Sequence, residues 1–73
     1  MKDEKKFNLG LNIKAERMRK AITQEYFAEL VDVSVSHISK IEQGMTSPTA
    51  FVLYKMSKVL NIPMEDFFKD INI

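Results

Sequence analysis

Seventy-three residues with 45% apolar side chains bound a single globular domain, too small for a second core or a deep substrate cleft. The formal charge is +1, and the absence of cysteine excludes a disulfide framework and any thiolate metal site. The longest apolar run, residues 50–54, is far too short to span a bilayer, and residues 1–6 (MKDEKK) lack the apolar core of a signal peptide, so a cytoplasmic protein is expected.

The net charge hides an asymmetry. Residues 1–20 hold seven Lys/Arg against three acids, and residues 21–73 hold four Lys against seven acids. A basic end can attract an anionic partner. A solvated tail followed by an exposed helix is the simpler account of this feature taken alone.

Residues 1–6 read as a flexible charged arm, residues 7–69 as the folded domain and residues 70–73 as a tail. A first helix is predicted over 9–20. Leu9 and Ile13 share a face that Arg17 continues, while Leu11, Ala15 and Met18 lie opposite, so the helix is weakly amphipathic. A second helix is capped by Thr23, has Glu25 in its first turn and ends near residue 32, with Phe27, Ala28 and Val31 inward. A third begins with the cap Ser34 and runs to about residue 43, before Gly44. Ile38 and Ile41 share its inner face. Ser36, Ser39, Lys40 and Gln43 fall on the other side, a polar but nearly uncharged surface suited to reading hydrogen-bonding edges. After a loop at 45–48, Thr49 caps a fourth helix to about residue 60, where Asn61 makes a left-handed stop. Pro63 opens a short fifth helix over 64–69 that buries Phe67 or Phe68.

Only residues 32 and 33 separate the second helix from the third. Helices joined so tightly cannot lie antiparallel and must cross steeply, which is the helix-turn-helix unit, here about 23–43. Ala28 stands where the two helices approach most closely.

TQEYFA at 23–28, VDVS at 31–34, ISKIEQG at 38–44 and Pro48 together resemble the phage repressor/Cro-type, or XRE, helix-turn-helix family. The likeness spans about residues 9–68. It implies an all-α fold of five short helices, the lambda-repressor-like DNA-binding domain, with residues 34–43 as recognition helix in the major groove. It further implies base contacts from Ser34, Val35, Ser36 and Lys40, and phosphate contacts from Gln24, His37, Ser39, Gln43, Thr46 and Ser47. Arg17 and Glu42 match a pair that in relatives forms an ion pair between the first and third helices. Their faces agree: two opposite charges both turned inward should pair, since either alone carries a large desolvation cost.

Three positions depart from the family pattern. Asp32 stands at a turn usually held by Gly, Ala21 where Gly often ends the first helix, and Pro63 where a Ser cap is common. The loop after Gly44 lacks the usual basic residues, so dimerisation is expected to support binding. Candidate dimer contacts are Phe51, Tyr54, Phe68, Ile71 and Ile73; the simpler alternative is that Phe67, Phe68 and Ile71 only close the core. The expected function is sequence-specific binding of a double-stranded DNA operator by a homodimeric transcriptional regulator, a repressor, with no cofactor, metal, membrane or small-molecule ligand. The alternative is an antitoxin-like or other protein-binding module. Catalysis is not expected from one His and no Cys.

Overall fold

In the computed structural model, which describes residues 4–72, the order of elements is α1 (Glu4–Arg19), α2 (Gln24–Val31), α3 (Val35–Glu42), α4 (Ala50–Leu60) and a 3-10 helix (Met64–Phe68). No strand occurs among the described residues.

Local signals start and stop the three central helices. The side-chain oxygens of Thr23, Ser34 and Thr49 accept hydrogen bonds from the backbone N–H groups of Tyr26 (3.1 Å), His37 (3.0 Å) and Val52 (3.2 Å). Each bond satisfies a donor that the helix itself cannot. At the other ends the chain turns through left-handed residues: Asp32 (φ 65°) after α2, Gly44 (φ 77°) after α3 and Asn61 (φ 55°) after α4. The reversal lets the next N–H groups reach back, with Val33 donating to Ala28, Met45 to Lys40 and Ile62 to Ser57 at 2.9–3.1 Å. Ala21 closes the corner after α1 in the same conformation (φ 57°) without the freedom of glycine.

The inner faces meet in one core of Ile13, Phe27, Ala28, Val31, Ile38, Ile41, Leu53, Met56, Leu60 and Phe67. At Ala28 (4% exposed) the short side chain lets α2 and α3 cross closely.

One boundary and one element type differ from those expected. The first helix begins at Glu4, so residues 4–6 belong to it rather than to an arm; residues 1–3 lie outside the described residues. Glu4 suits the positive end of a helix, and the lysines that follow are good helix formers. One turn on, Phe7 anchors the extension against Gly44: a β-carbon on Gly44 would fall 2.7 Å from the Phe7 Cα. The fifth element is a 3-10 helix rather than an α-helix. Pro63 gives it no side-chain cap, and five residues are too few to repay α-helix nucleation. It buries Phe67 and leaves Phe68 exposed. Its end is tied to α1 by the Asn12 amide, which donates to the carbonyls of Phe67 and Lys69, both at 2.9 Å.

Candidate nucleic-acid interface

The third helix buries one side and shows the other. Ile38, Ile41 and Glu42 face inward, while Ser34, Val35, Ser36, Lys40 and Gln43 are exposed and His37 and Ser39 half-buried. Ser36, Lys40 and Gln43 recur at four and three residues, so they form one row along the outer surface. Gln43 donates to the Ser39 hydroxyl at 2.7 Å, which holds both polar ends on that row. Val35 adds an apolar spot at the start of the helix, 42% exposed. Beyond Gly44, Ser47 is exposed and Thr46 half-buried.

Behind this surface lies a network joining three helices. Arg17 of α1 grips Glu42 of α3 with two hydrogen bonds, from Nε at 2.7 Å and Nη2 at 3.1 Å, and its Nη1 donates to the carbonyl of Ile22. The two side chains are 9% and 2% exposed. From the start of α2, Gln24 donates its amide at 2.9 Å to Glu42 Oε1, the oxygen that also accepts from Arg17 Nη2. Both Glu42 oxygens are therefore partnered, and no buried side-chain polar atom among the described residues lacks a partner. A forked guanidinium–carboxylate contact fixes orientation as well as distance. The structure thus brings together Arg17, Glu42 and Gln24, and it places Gln24 in contact with protein as well as at the mouth of α2.

Beside the Arg17–Glu42 pair, which helical spacing anticipated, α1 and α3 also meet at a backbone approach that sequence reasoning missed. Gly10 lies directly against the end of α3, where an added β-carbon would stand 2.3 Å from the Ile41 oxygen and 2.9 Å from that of Glu42. A glycine inside an otherwise helical run was the available signal, since it weakens a helix unless something approaches closely. Glu16 was also missed. It is 4% exposed and pairs with Arg19 at 3.2 Å and Lys69 at 3.6 Å, next to the Asn12 tether. Its place three residues after Ile13, on the inward stripe, was the available cue.

Exposed aromatic groups also lie on α4 and beyond it. On α4, Phe51 (69% exposed) and Tyr54 are one turn apart, with the Lys55 ammonium 4.8 Å from the Phe51 ring centre and that of Lys58 5.2 Å from the Tyr54 ring centre. Phe68 is exposed, Ile71 is half-buried, and Ile73 lies outside the described residues. Among the described residues, no group of three or more His, Asp or Glu stands together to hold a metal ion, and no helix is long and apolar enough to cross a membrane.

Two capped helices crossing over a small residue, with the second presenting a polar outer row, are the features by which a helix-turn-helix is recognised. The helix-turn-helix family model HTH_3 matches residues 13–67. The chain belongs to that family. It is a DNA-binding helix-turn-helix domain of the XRE type. Similar proteins include an uncharacterised HTH-type transcriptional regulator, YazB, of Bacillus subtilis (strain 168), 39% identical over 78% of this chain and 83% of that protein. A transcriptional regulator in the ATPase CF(0) region of Rhodospirillum rubrum is 31% identical over 88% of this chain, which spans only 59% of that relative's length. Among solved structures, the restriction-modification controller protein C.AhdI from Aeromonas hydrophila superposes with a TM-score of 0.87, at 21% identity, over 90% of this chain and all of the other. The SOS-response repressor LexA from Eubacterium rectale gives 0.88 at 23% identity, over all of this chain and 80% of the other. Both likenesses are of fold.

Proposed function

We propose that this HTH_3 domain reads a specific double-stranded DNA sequence and acts as a transcriptional repressor, binding as a homodimer to an inverted repeat. The observation that carries the reading is the outer row of α3. It is exposed, polar and nearly free of charge, yet its backbone is braced from behind by the Arg17–Glu42–Gln24 network. A merely soluble surface needs no such bracing.

In this reading α3 enters the major groove. Lys40 donates to guanine O6 or N7, Ser34 and Ser36 exchange hydrogen bonds with base edges, and Val35 meets a thymine methyl. Gln24, His37, Ser39, Gln43, Thr46 and Ser47 hold the phosphates on either side. Gln24 stands at the start of α2, where free N–H groups and the helix dipole favour an anion. Dimerisation uses the exposed aromatic residues of α4 and the C-terminal segment: Phe51, Tyr54, Phe68, Ile71 and Ile73. The domain measures 30 × 24 × 21 Å, so two copies in contact can set their α3 helices about 34 Å apart, one turn of the duplex.

The test is selection of bound sequences from a random duplex library at about 0.15 M salt, where screening weakens non-specific attraction. Enrichment of an inverted repeat with half-sites one turn apart is expected. A single enriched half-site would remove the homodimer. Binding with no enriched sequence would overturn the reading and bring a protein-partner role forward.

A further inference from the structure

The basic side chains divide by what they already touch. Arg17 is committed to Glu42, and Arg19 and Lys69 share Glu16. Lys55 and Lys58 lie over aromatic rings on α4. Lys14, like Lys20 and Lys40, is exposed and makes no ion pair among the described residues. Four residues after Gly10 and three before Arg17, it stands on the edge of α1 that borders α3. There it lines a groove of about 430 Å³ with Phe7, Leu11, Glu42, Gln43 and Met45, its charged head at the polar edge beside Glu42 and Gln43.

Two properties of this groove select its occupant. The acid beside Lys14 is Glu42, whose oxygens are taken by Arg17 and Gln24, so it neither captures the lysine nor presents a free negative charge to an incoming anion. The polar neighbour is Gln43, the last residue of the outer row of α3. That row itself carries a single cation, Lys40, so a duplex lying along it needs positive charge from another element.

We propose that Lys14 holds a DNA backbone phosphate beside Gln43, so that α1 grips the duplex together with α2 and α3. The assignment rests on the DNA-binding reading above. An ammonium acts here as a point charge without geometric demand, which suits a phosphate and carries no base preference.

The experiment measures affinity for the selected operator between about 0.05 and 0.3 M salt for the wild type, Lys14→Gln and Lys14→Arg. Losing one phosphate contact lowers the slope of log K against log salt by about 0.9 per half-site, a loss of roughly fivefold in affinity at 0.15 M salt. Lys14→Gln is expected to show that change with an unaltered preferred sequence and an unaltered melting temperature. Lys14→Arg, which keeps the charge, should retain the wild-type slope. A wild-type slope in Lys14→Gln, or a changed sequence preference, would overturn the assignment while leaving the DNA reading intact. A wild-type protein with no affinity for any duplex would overturn both.

Discussion

Glu42 shows how one carboxylate can serve fold and function together. Its oxygens receive Arg17 from α1 and Gln24 from α2, so it orients the end of α3 relative to both. Replacing it with Gln leaves a buried guanidinium facing a neutral amide. Breaking a buried pair in this way costs about 3–5 kcal/mol, close to the whole stability of a domain this size. The urea midpoint of Glu42→Gln, followed by circular dichroism, is expected to fall to a small fraction of the wild-type value. Ala21 behaves in the opposite way. It holds a left-handed conformation that costs a residue with a β-carbon about 1–2 kcal/mol. Glycine removes that strain but loses part of the gain to a freer unfolded chain. Ala21→Gly is therefore expected to stabilise the protein by about 0.5–1 kcal/mol, seen as a rise of roughly 2–8 °C in melting temperature. Lys40 tests the surface rather than the fold. Lys40→Ala should cost about 1–3 kcal/mol of binding and relax the preference at one base position, measured by repeating the selection with the variant. Equal loss on every sequence would make it a phosphate contact.

At the scale of elements, the helix ends were legible because their causes are local. Thr23, Ser34 and Thr49 each precede an apolar-periodic run, and Asp32, Gly44 and Asn61 each can turn left-handed, so cap and stop are written within a few residues. The inward faces of Arg17 and Glu42 could likewise be read from helical spacing. The start of α1 could not, because Phe7 meets Gly44 thirty-seven positions further along the chain. The bond from Gln24 to Glu42 and the pairing of Glu16 with Lys69 were hidden for the same reason: each depends on where a distant element lands. The 3-10 form of the last element reflects a short segment held from outside by Asn12 rather than by its own propensity. Gly10 is where the helix packing can be tested most directly. Alanine gains about 1 kcal/mol of helix propensity, but its methyl would meet two backbone oxygens of α3 that cannot rotate away. Forcing α1 and α3 apart costs more, so Gly10→Ala is expected to lose at least about 1 kcal/mol net. Thermal unfolding gives that loss, and operator binding weakens with it.

For the whole molecule, two kinds of exposed surface stand out. One is the polar row of α3; the other is the pair of aromatic rings one turn apart on α4, Phe51 and Tyr54, with Phe68 exposed further along the chain. The homodimer proposed above places its interface on these exposed rings, and Phe51 tests it. Phe51→Glu leaves the core untouched, since the ring is 69% exposed. Sedimentation equilibrium is expected to find this variant monomeric. Its affinity for a full inverted repeat should fall by at least about tenfold, while its affinity for a single half-site is unchanged. A dimeric variant would move the interface elsewhere.

The bracing of α3 also decides which partner does the adapting. Gly10 pins the helix against α1 at its end, Phe7 packs under the turn that follows, and Glu42 ties it to α2. In the homodimeric complex proposed above, a helix held at these points does not roll or slide to suit an imperfect groove, so the duplex bends and twists to meet both copies. Operators with identical contacted bases should then differ in affinity according to the stiffness of the untouched base pairs between the half-sites, with flexible pyrimidine–purine steps there bound differently from stiff A-tracts.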